Sequence, residues 1–125
     1  MGTEIGRVRG YGSAHHGPQH WWHQKLTAGS NFLLVVWLLA SIAMLPSYDH
    51  GTVRLWLGSP WAAVPMALLI ASVFYHFRLG LQVVIEDYSH KESRIVLTVL
   101  VNLFTAATAG VAIFSILKVA FGSQA

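Results

Sequence analysis

The sequence predicts an all-α membrane protein of three transmembrane helices, with the N-terminus cytoplasmic and the C-terminus periplasmic. Hydrophobic residues make up 54% of the chain and charged residues only 10%, against about 25% charged in soluble domains. The apolar residues fall into three long runs, each about as long as the roughly 20 residues needed to cross a hydrocarbon layer. The eight Lys and Arg sit mostly near the ends of those runs. Segments that cross lipid must be helical, because a backbone group there finds no water to bond.

Span one runs from about Leu26 to Leu45, interrupted only by Thr27, Ser30, Asn31 and Ser41 and closed by Pro46. Span two runs from about Pro60 to Asp87, with Ser59 before Pro60 as an N-cap and first-turn proline. Span three runs from about Ile95 to Phe121. Residues 1–24 form a polar head, residues 46–59 and 88–94 form loops, and residues 1–125 make a single membrane domain without internal repeats.

Positive charges near span ends set orientation. The head and the second loop hold Arg7, Arg9, Lys25, Lys91 and Arg94, and the other side holds Arg54 and Lys118. Five against two places the N-terminus inside. Trp21, Trp22, Trp56 and Trp61 flank spans and suit the aromatic belt. Ala106 and Gly110, four apart in span three, let another helix come close, and Asn102 one turn earlier suits a helix–helix hydrogen bond.

Several classes are excluded. The positive charges are spread along the chain rather than drawn into a basic stripe, so nucleic acid is not an expected partner. Cysteine is absent, which removes disulfides and thiolate-held metal or iron–sulfur sites. Arg7 and Arg9 lead into Gly, Ser, His and Gln rather than an apolar stretch, so no cleavable signal is expected and the first span would direct insertion, as in a bacterial inner-membrane protein. His15, His16, His20 and His23 include ligand-like spacings, but Gly17 and Pro18 are expected to break a helix there, which favours structural or interface roles.

Span two carries the chemistry. His76 lies near its middle and Arg78 follows two residues on. A charge at the bilayer centre costs at least about 2.5–3.5 kcal/mol, so such residues face protein or a cavity. At about 100° per residue, His76, Gly80, Val83 and Asp87 share one face, Ser72 extends it by a turn, and Arg78 points about 200° away. Neutral imidazole is a strong axial ligand for heme iron, and one histidine supplies one side only. The other reading of His76 is a hydrogen bond to a neighbouring helix. Gly80 leaves room for a flat group or for a close helix. Glu86, Asp87 and Tyr88 end the span, where acids oppose the helix dipole. A phenol, with its pKa near about 10, remains a donor to a quinone carbonyl at neutral pH, and a carboxylate can relay a proton.

The string from His76 through Gly80, Gln82 and Val83 to Asp87 and Tyr88 resembles the signature of the small membrane-anchor subunits of succinate dehydrogenase, and Ser89-His90 continues it. The segment His20-Trp21-Trp22-His23-Gln24-Lys25-Leu26-Thr27 resembles the family's aromatic-rich lead into span one, where a basic residue, typically Arg and here Lys25, stands two before a threonine. The resemblance implies a complex with a flavoprotein subunit, an iron–sulfur subunit and a larger cytochrome b anchor subunit, set in membrane lipid. It implies heme b shared with the larger anchor, with His76 as one axial ligand. It offers Lys25, His20 and Arg78 to the heme propionates, and it implies Tyr88 and Asp87 at a ubiquinone site. Three alternatives remain beside it. One is the anchor of a fumarate reductase. Another is a small proton-conducting or transporter subunit with His76, Arg78 and Asp87 as the path. The last is a purely structural helix set, which would leave the charges of span two unexplained.

Overall fold

The computed structural model describes residues 3–5 and 17–122. Four helices follow in order: α1 Gly17–Ala43, α2 His50–Gly58, α3 Pro60–Tyr88 and α4 Lys91–Gly122. Of these, α1, α3 and α4 are long and apolar enough to cross a membrane. Their 27, 29 and 32 residues correspond to about 40–48 Å of helix, more than the roughly 30 Å of hydrocarbon. The excess places helix ends in the headgroup layer or tilts the helices. Helix α3 packs against both α1 and α4, whose backbones do not approach each other closely. The three spans form one layer with α3 at its centre, and α2 packs against α3 and α4.

The first span begins earlier than its composition predicts. Gly17 and Pro18 open α1 rather than breaking it, because proline in a first turn gives up only an N–H that has no intrahelical partner anyway. His20 and His23 are therefore helical. Arg7, Arg9, His15 and His16 lie outside the described residues.

The loop over 46–59 contains a helix that hydropathy did not reveal. Asp49 caps α2: its carboxylate accepts from the Thr52 backbone N–H at 3.1 Å and the Thr52 hydroxyl at 2.7 Å, and the Ser47 hydroxyl donates to it as well. These hydroxyls, Ser47 foremost and then Thr52, hold the carboxyl well below the usual carboxylate range. Trp56 of α2 stacks on Trp37 of α1, ring centroids 6.1 Å apart at 21°. Trp56 is thus a packing residue, while Trp21 and Trp22 are 59% exposed and Trp61 87%, as belt residues should be.

Ser59 occupies the N-cap of α3, but its hydroxyl makes no capping bond, and its carbonyl instead accepts from Ala62 and Ala63 N–H. Between α3 and α4 the chain reverses in two residues, with Lys91 in the left-handed region at φ 42°. Arg94 closes this corner by donating to the carbonyls of Glu86 at 2.7 Å and Ser89 at 3.1 Å. A cation there satisfies carbonyls that the helix end leaves free and complements its dipole.

Very little is buried. Ala62, Ala63, Leu69, Leu79, Ile85 and Ile116 are the buried apolar side chains among the described residues. Most large apolar side chains face outward, which suits lipid and partner chains rather than water.

The cap gives a prediction with a defined sign. A carboxyl whose pKa is depressed by folding stabilises above its ordinary value, near about 3.9, and loses that contribution as pH falls through the depressed value. Asp49→Ala should speed amide exchange at Thr52 and Val53 at neutral pH. The native chain should approach the variant's lower protection only in strong acid. Equal protection in the two proteins at neutral pH would remove the capping role.

Candidate functional site

The site grows from a polar seam between α1 and α3. On α1, His20, Gln24, Thr27 and Asn31 recur at i, i+4, i+7 and i+11, which is one face of a helix. Each is half-buried. On α3 the facing residues are Ser72, His76 and Gly80, one turn apart. Thr27 Oγ1 lies 2.9 Å from His76 Nδ1. The Ser72 hydroxyl donates to the Thr27 carbonyl at 3.5 Å. Beside the seam, Tyr75 and His23 pair through the phenol oxygen and Nδ1 at 3.2 Å. In lipid such contacts carry the association, because lipid tails are as apolar as the helices and give them no hydrophobic reason to meet.

A Cβ on Gly80 would meet only the far end of the Gln24 side chain, at 3.9 Å. The backbone of α1 does not press on this position, so space remains beside it.

His76 is half-buried. Its Nδ1 is engaged by Thr27, and its Nε2 has no hydrogen bond among the described residues. Three polar atoms on the α1 side of the seam are buried without a partner: His20 Nε2, Gln24 Oε1 and Asn31 Oδ1. Buried polar atoms are ordinarily bonded, so a set of orphans along one face marks a place that a further group completes.

Arg78 leaves this seam altogether. Its Nε donates to Asn102 Oδ1 of α4 at 2.5 Å, inside a cleft also lined by Phe74, Tyr75, Thr105 and Ala106. Arg78 thus sits on the α4 side of α3, as its wheel angle predicts, and Asn102 makes the interhelical bond expected of it. His76, Arg78 and Asp87 do not share one face of α3: His76 meets Thr27, Arg78 meets Asn102 and Asp87 is exposed. Ala106 lines the cleft, whereas a Cβ on Gly110 would meet nothing.

Asp87 and Tyr88 stand exposed on the last turn of α3, Tyr88 at 82%. Neither makes a side-chain hydrogen bond among the described residues, whereas Glu86 accepts from Gln82 at 3.0 Å. Twelve residues of helix set Tyr88 about 18 Å from His76 along the axis. Lys25 is exposed, with its ammonium 5.8 Å from the Trp21 ring centroid. That cation–π contact turns it away from the seam, while His20 lies on it.

Sequence reasoning gave Tyr75 no role, and it named Thr27, His23 and Arg94 without the partners they meet on or beside α3. The α1 stripe was legible as a period of 3.6, but the early start of the helix hid its first two members.

The Arg78–Asn102 pair gives a double-mutant test. Asn102→Leu leaves the guanidinium without its partner and should destabilise the assembled protein by about 1–2 kcal/mol. Arg78→Met/Asn102→Leu removes both groups and should recover much of that loss in thermal denaturation. A double variant less stable than Asn102→Leu would show that Arg78 has another partner.

Comparison with known proteins agrees with this architecture. The family described as succinate dehydrogenase/fumarate reductase transmembrane subunit matches residues 1–116. The chain is 35% identical over 108 residues to the succinate dehydrogenase hydrophobic membrane anchor subunit of Rickettsia conorii, covering 85% of this chain and 86% of that one. It is 25% identical over 116 residues to the Paracoccus denitrificans protein of the same name, covering 93% and 90%. It is 32% identical over 91 residues to a succinate dehydrogenase membrane anchor subunit of Reclinomonas americana, covering 70% and 76%. No solved structure matches the chain significantly. Three apolar helices and these relatives make it a multi-pass protein of the bacterial inner membrane and one subunit of a multi-subunit complex. The chain belongs to the family of succinate dehydrogenase/fumarate reductase transmembrane subunits, as a membrane anchor of the succinate dehydrogenase type.

Proposed function

We propose that this chain is the anchor that holds one side of heme b and part of a ubiquinone site, so that electrons from succinate pass through an iron–sulfur subunit to quinone. The observation that carries the reading is the state of His76: a half-buried imidazole in the middle of a span, with Nδ1 engaged and Nε2 without a partner. The orphaned atoms of His20 and Gln24 on the same seam support a further group beside it. A bound heme supplies a one-electron centre.

His76 Nε2 would hold the iron of such a group, and a larger cytochrome b anchor subunit would supply a second ligand, since among the described residues the other histidines lie toward helix ends or in loops. His20 is the propionate candidate best placed on the seam. Lys25 and Arg78 point elsewhere, to Trp21 and Asn102. The excess of Lys and Arg at the head and the second loop supports an orientation with the end of α3 cytoplasmic and the C-terminus periplasmic. Tyr88 then stands at the interface, where its hydroxyl donates to a quinone carbonyl. Asp87, beside it, takes a proton from water and passes it on as quinone is reduced. A flavoprotein oxidises succinate outside the membrane, and the exposed apolar faces meet lipid and the larger anchor. The curated relatives carry the succinate name, and the reading follows them rather than fumarate reduction.

Two measurements test this. The purified complex should show a b-type heme spectrum that His76→Ala abolishes or alters, and an unaltered spectrum removes the ligand assignment. Tyr88→Phe loses one hydrogen bond to quinone, worth about 1 kcal/mol, and should lower quinone reduction roughly fivefold while dye-linked succinate oxidation stays intact. A parallel fall in both activities would point to assembly instead.

A further inference from the structure

We infer that Thr27 is a positioning residue that fixes the tautomer and the ring plane of His76, so that Nε2 presents a lone pair. The inference rests on the reading of His76 as a heme ligand.

A threonine hydroxyl has one hydrogen to give and two lone pairs to accept with. Thr27 Oγ1 has three neighbours: the His23 carbonyl at 2.8 Å, the Gln24 carbonyl at 3.1 Å and His76 Nδ1 at 2.9 Å. Were the hydroxyl hydrogen turned to Nδ1, both carbonyl oxygens would face a lone pair at close range, so the hydrogen goes back into its own helix, as threonine commonly does in apolar surroundings. The lone pairs are then left for Nδ1, and His76 must be the donor: Nδ1 carries the hydrogen and Nε2 is bare. The reverse arrangement would put the hydrogen on Nε2 and block it as a ligand. In a neutral imidazole the bond at one nitrogen decides which nitrogen binds metal.

The placement is rigid. Threonine is branched at Cβ and stiff at χ1. Its backbone carbonyl accepts from Ser72, one turn from His76 on the same face of α3. Thr27 is thereby held at both its side chain and its backbone against the ring it orients. An acceptor at Nδ1–H also makes the imidazole a stronger donor to iron, which favours the oxidised state.

The test uses the assembled complex with Thr27→Val, which keeps the shape and removes the hydroxyl, and Thr27→Ser, which keeps the hydroxyl. The readouts are the midpoint potential of the heme and the low-spin ferric EPR signal, neither of which depends on turnover. Thr27→Val should move the potential positive and shift the largest g value, and Thr27→Ser should restore both. Native values in Thr27→Val overturn the inference. Equal changes in Val and Ser also overturn it, because the methyl and not the hydroxyl would then matter. Should the Val variant fail to assemble, Thr27→Ser alone decides, with native values supporting the inference and altered ones overturning it. An unaltered spectrum in His76→Ala is a separate result, which sinks the ligand reading itself.

Discussion

The bilayer supplies no water to polar groups and no hydrophobic force to helices, so what the spans do with their few polar side chains governs this fold. Helix α3 lies between its neighbours and carries the histidine and the arginine that meet them. It turns Ser72 and His76 toward α1 and Arg78 toward α4. Each neighbour is tied to the central helix by bonds that would compete poorly with water but have no competitor in lipid. The same arrangement leaves the buried core small, and it leaves wide apolar faces on either side of the layer.

Function follows from that separation of faces. The imidazole and the guanidinium are two residues apart, yet α3 sends them to opposite neighbours, so they cannot serve one group of modest size. The seam with α1 holds three buried polar atoms without partners, on His20, Gln24 and Asn31, while on the α4 side Arg78 has Asn102 as a partner and Thr105 Oγ1 is left without one. At the end of the helix, Arg94 draws the next helix back onto the carbonyls of Glu86 and Ser89. The corner is held by a cation, and Asp87 and Tyr88 project free of it.

The loop between the first two spans has its own logic. It is too polar and too short to read as a span, yet Asp49 nucleates a helix by bonding the Thr52 N–H, and Trp56 then reaches Trp37. A capped, short helix lying near the membrane surface braces the layer where α1 and α3 are joined. Hydropathy averages over such a segment. The Asp-x-x-Thr spacing was visible, but nothing in the string required the backbone to turn there.

The amino-acid sequence by itself determined the solvent, the number of spans and the family, because an apolar run of fixed length has one use and because His, Asp and Tyr at fixed offsets inside such a run are rare. It determined that His76 and Arg78 leave α3 in different directions, since a helical period is local. It did not determine what either would meet. Thr27 and His76 are 49 residues apart, and their meeting depends on how α1 is rotated and shifted against α3. That rotation is chosen by the whole seam at once: it brings Ser72 to the Thr27 carbonyl and His76 to the Thr27 hydroxyl together. Only the tertiary structure could decide this, because contact between spans is a relation between two periods, and each period is blind to the phase of the other.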